Sequence, residues 1–220
     1  MELSLFPLQV VLFPGMALPL HVFEERYKRM IQRCLEGDGA FGVVLIREGS
    51  EVGEPATPFL VGTRARIIDV ERLPDGRMNL LTLGQDRFRV TRYWEEDGCL
   101  RGEVTFFEDE AAAESAHLSE LVDRARQLLV PYLAALLAGT NLGASDIPES
   151  EPVPLSFWAA SLLIAPAPVK QGLLETTSTA ERLEYVIELI ERFLKRSIRT
   201  PKEGGGIWKT RILGQSVFLN

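Results

Sequence analysis

Two histidines, His21 and His117, and two cysteines, Cys34 and Cys99, make up the imidazole and thiol chemistry of this 220-residue chain. No two of them fall at the short separations by which zinc sites are recognised, so no metal centre is expected. No Gly-x-Ser-x-Gly elbow is present, and no Gly-x-Gly-x-x-Gly follows a strand pattern. Lys209-Thr210 comes nearest to a phosphate loop. Trp208, however, stands where the loop needs glycine, and Glu203 occupies its opening position, so a backbone cradle for phosphate is not expected.

His21 sits in the segment with the strongest local pattern. As a functional group it would be a ligand contact or an acid–base residue; as a structural one it is a polar strand-end residue held by hydrogen bonds. With no partner set nearby in sequence, the structural role is the simpler one. Glu24, Glu25 and Arg26 read as charges at a helix start, Cys34 as a small buried hydrophobe and His117 as solvated. Trp94, Phe106, Phe107 and Trp158 are candidate recognition aromatics, although single apolar side chains are mostly core. The basic run Lys195, Arg196, Arg199, Lys202, Lys209 and Arg211 is read as helix-end compensation followed by a solvated tail.

Composition narrows the function classes. A net charge of -7, from 24 basic against 31 acidic residues, argues against nonspecific binding to nucleic acid or anionic membrane. With 46% hydrophobic residues, the chain has enough apolar material for one large core or two small ones. Glu2, Pro7, Gln9 and Pro14 interrupt the N-terminal apolar run, so no signal peptide is expected, and no apolar stretch is long enough to span a bilayer. Two cysteines are too few for a disulfide framework, which points to a reducing cytoplasm.

The elements that position these residues change in kind partway along. Leu18, Leu20 and Val22 alternate at the strand period; Phe23, Tyr27, Met30, Ile31 and Cys34 then mark one helical face, with Glu24 and Glu25 in its first turn. Val10 to Phe13 reads as a short strand, and Phe41 to Ile46 as a strand buried on both faces. Pro74-Asp75-Gly76 joins segments 61–73 and 77–83 into a hairpin, and Glu95-Glu96-Asp97-Gly98 joins 88–94 to 100–107 into another. After Ala111 the periodicity is helical, with Pro131 expected to kink or split a long helix. Leu155 to Ala165, Val169 to Glu175 and a last helix opened by the Ser178/Glu181 capping box follow.

Phe6-Pro7-Leu8, Val11-Leu12-Phe13-Pro14-Gly15, Leu18 to Glu24 with Arg26-Tyr27, Phe41-Gly42-Val43-Val44, Val61-Gly62-Thr63 and Gly84 to Phe88 occur in an order that resembles the N-terminal substrate-binding domain of the Lon protease family. Leu163 to Leu183 resembles its helical continuation. The resemblance implies an α+β fold: a PUA-like, mostly antiparallel β-barrel or sandwich with one inserted helix over residues 1–110 and a helical bundle over 111–200; Gly204-Gly205-Gly206 and the partly apolar residues after it read as a glycine-hinged tail over 201–220.

The ATP-binding motor and serine-lysine protease of full-length Lon are not among these residues, so a stand-alone, noncatalytic module without cofactors is expected. Its expected partners are unfolded or exposed apolar protein segments, with a protease or chaperone as a working partner left open. Nucleic acid is not expected as a partner. The expected contacts line a groove between the β-domain and the helical part: His21, Phe23, Glu24, Arg26, Trp94, Phe107 and Trp158. The alternative is a small-molecule-binding protein or an unrecognised enzyme using the same groove. Ile207 to Leu219 is expected to dock on its own body or on a second copy.

Overall fold

The computed structural model describes residues 1–50, 56–111, 115–137 and 151–199. Six strands come first, β1 (Glu2–Leu8), β2 (Ala17–Val22), β3 (Ala40–Glu48), β4 (Thr57–Arg72), β5 (Met78–Glu96) and β6 (Cys99–Phe107), with helix α1 (Glu25–Glu36) inserted after β2. Helices α2 (Ala116–Leu136), α3 (Pro152–Leu162), α4 (Ala167–Glu175) and α5 (Thr179–Arg199) follow. The fold class is α+β, as expected.

The strands form one mixed sheet in the order β2-β5-β4-β3-β1-β6. The β1–β3 pair is parallel, and the other pairs are antiparallel. Because β6 pairs with both β1 and β5, the pairings β1-β3-β4-β5-β6 return to β1 and leave β2 outside that ring. Ala40 through Ile46 of β3 are all buried, which is why this strand reads as continuously apolar.

Three local expectations change. Residues 78–83 and 88–94 are parts of one 19-residue strand, β5, which pairs with β2 along its first part and with β6 along its second. Gly84, which looks like an interruption, instead lets the preceding loop cross the strand. Gly15 N–H donates to Gly84 O at 2.8 Å, Gly84 N–H donates to Met16 O at 2.9 Å, and a Cβ on Gly84 would lie 2.2 Å from Phe13 O. That loop contains Val11, Leu12 and Phe13, which are buried without forming a strand; Thr63 Oγ1 donates to Leu12 O at 2.6 Å. Pro131 lies inside a continuous α2 and does not split it.

Helix α1 begins later than its apolar pattern suggests. Glu24 is the N-cap, in extended conformation at φ -72°, and its side chain makes no capping bond. Tyr27, Met30, Ile31 and Cys34 form the buried stripe, and the Tyr27 ring stacks on Phe6 at 4.3 Å. The β5–β6 turn is Asp97-Gly98, with φ of 54° and 76°, the paired positive values of a two-residue hairpin turn.

The chain divides into two packed units. The first comprises Met1–Glu108 and Ala165–Glu175, so α4 belongs with the sheet. Gln171 fixes it there, its Nε2 donating to Val61 O of β4 at 3.0 Å, while Arg87 of β5 donates to Leu174 O at 2.7 Å. The second unit contains α2, α3 and α5, with Leu118, Ala125 and Leu183 at its core. Ser115 Oγ accepts the Leu118 N–H at 3.1 Å, capping α2, and Ser178 Oγ accepts the Glu181 N–H at 3.3 Å, as the capping pattern predicts. The expected docking tail, 207–219, lies outside the described residues.

Candidate protein-binding surface

Strand alternation decides which side chains of β2 and β5 face the core. Leu18, Leu20 and Val22 of β2 and Met78, Leu80 and Thr82 of β5 are buried, which turns Ala17, Pro19, Asn79, Leu81 and Leu83 to the opposite face. In register, Ala17 stands opposite Leu83 and Pro19 opposite Leu81. Leu81 and Leu83 are 42% and 37% exposed. On the neighbouring strand a bulge between Ile67 and Asp69 leaves Ile68 unpaired and 53% exposed. Ala17, Pro19, Ile68, Leu81 and Leu83 thus form an apolar strip on the outer face of three adjacent strands.

A polar row borders the strip. His21 stands opposite Asn79, with Nδ1 2.7 Å from Asn79 Oδ1. Asn79 Nδ2 donates to Glu71 Oε2 at 2.7 Å, and Arg77 lies 3.3 Å from His21 Nε2. Asn79 Oδ1 can only accept and Arg77 can only donate, a pair of partners matched by the tautomer with its proton on Nδ1. His21 is thus hydrogen-bonded at the strand end, through the Asn79 side chain and beside Arg77.

Beyond the strip lies an open backbone edge. Among the described residues β2 pairs only with β5. Pro19, with no N–H to offer, suits such an edge strand.

The other expected site residues of the first unit divide into separate places. Phe23 is half-buried against the core, its ring 6.2 Å from His21. Glu24 pairs with Arg26 at 2.9 Å, and Arg26 also donates to Gly98 O at 3.0 Å and lies 4.6 Å over the Tyr27 ring. These contacts tie the β2–α1 junction to the β5–β6 turn. Trp94 and Phe107 lie at opposite ends of the β5–β6 pairing, Trp94 under Arg92 and Phe107 between Arg87 and Arg89. Trp158 belongs to α3 in the second unit, where its carbonyl accepts the Ser161 hydroxyl at 2.7 Å. His117, expected to be solvated, is exposed and lies 3.0 Å from Glu184 Oε1.

Leu81, Leu83 and Ile68 were not singled out from sequence. The available signal is Leu80-Leu81-Thr82-Leu83, where both alternate sets carry leucine in a strand whose other features require one solvated face. Among the described residues, no group of three or more His, Cys, Asp or Glu side chains could hold a metal ion, and no helix is long and apolar enough to cross a membrane.

An apolar strip thus lies beside a strand edge that is unpaired among the described residues. The chain belongs to the ATP-dependent protease La (LON) substrate-binding domain family, whose model matches residues 2–192. It is 30% identical to the Lon protease of Xanthomonas oryzae pv. oryzae over 204 residues, covering 87% of this chain and 23% of that one. Lon protease 2 of Myxococcus xanthus is also 30% identical, over 200 residues, covering 89% and 24%. The chain therefore spans about a quarter of the length of these relatives. Among solved structures it is similar to a Lon N-terminal domain protein from Xanthomonas campestris, with TM-score 0.61 and 28% identity over 86% of this chain and 98% of that one. The N-terminal domain of Mycobacterium avium complex Lon protease shares the fold, with TM-score 0.61 and 20% identity over 87% and 98%.

Proposed function

We propose that the chain is a noncatalytic module that captures extended, apolar segments of protein clients on the outer face of β2, β5 and β4. The carrying observation is the strip of Ala17, Pro19, Ile68, Leu81 and Leu83 beside the unpaired edge of β2. A client laid along that edge gains main-chain hydrogen bonds from the strand and apolar contacts from the strip, the combination by which sheets accept extended peptides. The substrate-binding family supports the same reading.

His21 borders this surface, whereas Phe23, Glu24 and Arg26 brace the junction behind it. In this reading the ring of strand pairings is a small PUA-like barrel and α2, α3 and α5 are a helical bundle. The free cysteines Cys34 and Cys99 favour the cytoplasm. Fluorescence anisotropy with a panel of labelled apolar peptides and unfolded model clients tests the function. Saturable binding that weakens when Leu81 and Leu83 are replaced by Thr supports it; no saturable binding across the panel overturns it.

A further inference from the structure

A second surface of the first unit has the opposite chemistry. A shallow, open cavity of about 460 Å³ lies between α1 and the turn of the β4–β5 hairpin. Lys28, Arg29 and Arg33 reach it from α1 and Arg72 from the end of β4, with Glu25 as the one carboxylate in its lining. The cavity thus gathers an excess of three positive charges in a chain whose net charge is -7.

Two of these cations are in ion pairs within the fold and two are not. Lys28 pairs with Glu25, and Arg33 pairs with Asp97 beyond the lining. Arg72 is held by neutral acceptors, Gln32 Oε1 at 2.8 Å and Met78 Sδ at 3.7 Å, which orient the guanidinium without cancelling its charge. Arg29 forms no ion pair among the described residues, and the carboxylate its charge acts on, Asp97, is already paired with Arg33. Arg29 and Arg33 are also one helical turn apart, a like-charge spacing that costs an isolated helix a few tenths of a kcal/mol. An oriented guanidinium held by neutral acceptors, with a second unpaired cation in the same cavity lining, is an arrangement that carboxylates bridge with charge-assisted, bidentate bonds.

We infer that this cavity binds an acidic stretch of polypeptide, carboxylates of Asp or Glu in a client segment bridging Arg29 and Arg72. The inference rests on the client-binding reading and adds a charge preference to it. An enclosed pocket would suit a small ligand, which normally buries most of its surface. This cavity is open along its side and suits side chains projecting from a chain that runs across it.

The test measures three labelled peptides by anisotropy: an uncharged apolar segment, the same segment followed by a run of Asp, and its Asn counterpart. The Asp peptide is expected to bind at least about tenfold more tightly than the Asn peptide at low salt. That advantage is expected to disappear at about 0.5 M salt, where screening is strong, and in the double variant Arg29→Gln/Arg72→Gln. Both side chains are exposed, so the variant is expected to keep the wild-type melting temperature.

Equal affinity for the Asp and Asn peptides overturns the inference, as does an Asp preference that survives in a folded double variant. Tight binding of pyrophosphate or a single-stranded oligonucleotide with no Asp preference also overturns it, in favour of a phosphate site. Loss of apolar-peptide binding alone defeats the strip as a client site and leaves the acidic preference standing.

Discussion

The Arg182 guanidinium is fully buried and closes on the carboxylate of Asp109, 73 residues earlier in the chain. Its remaining donors are also used, Nε donating to Ser156 Oγ at 2.8 Å and Nη1 to Thr176 O at 2.7 Å, and its plane lies 3.8 Å over the Phe157 ring. Thr179 Oγ1 donates to the same carboxylate, to Asp109 Oδ2 at 2.6 Å. One ion pair therefore joins the segment after β6, α3 and the start of α5 within the second unit.

Removing one partner leaves a charge buried without compensation. Arg182→Ala is expected to destabilise the second unit by about 3–5 kcal/mol. Urea unfolding followed by circular dichroism checks this; a change below about 1 kcal/mol would show that water reaches the site and solvates Asp109.

Gly84 and Gly172 form an opposed pair. A Cβ at Gly84 collides with the Phe13 carbonyl, whereas one at Gly172 meets no atom within 4 Å. Gly84→Ala is expected to cost about 1–3 kcal/mol or more through the shift it forces in the Phe13–Met16 crossing. Gly172→Ala, inside α4, is expected to stabilise by about 0.5–1 kcal/mol. Thermal melting of the two variants beside wild type reads both signs.

Burial, reinforced by the nearby Asp38 charge, pushes the Cys34 thiol up to about 11. In the unfolded chain an ordinary thiol ionises near 8.5. Between those values the unfolded state binds fewer protons than the folded one, so this thiol's contribution to stability is whole below about pH 8 and falls as pH rises towards 11. Denaturation midpoints taken between pH 7 and pH 10 are expected to drop less in Cys34→Ala than in wild type. Native Cys34 is also expected to resist alkylation until the chain is unfolded.

Leu81→Thr with Leu83→Thr separates binding from folding. Both side chains face solvent and threonine is a good strand former, so stability is expected to stay within about 0.5 kcal/mol per site. Apolar-peptide affinity is expected to fall at least about tenfold. Unchanged affinity in the folded variant would remove the strip from the client site.

Elements with local signals could be read from sequence. Proline and glycine set the β4–β5 turn, Asp97-Gly98 the next one, and Ser178 the start of α5. The buried β3 was legible because both of its faces are apolar. Residues whose roles depend on distant partners were not. Gly84 reads as a break unless the crossing loop is known, and Arg182 reads as one more helical charge until Asp109 and Ser156 are brought to it. The strip stayed hidden for a related reason: Leu81 and Leu83 look like core until the pairing with β2 shows which face is full, and Ile68 is exposed only because of a bulge.

Pro19 gives the proposed edge a further property. A strand lying along β2 meets a missing donor midway, so the edge cannot supply an unbroken ladder of backbone bonds. Two copies of the chain are discouraged from zipping together there, and a bound guest is held by side-chain contacts more than by backbone. Such an edge favours brief tenancy over permanent capture.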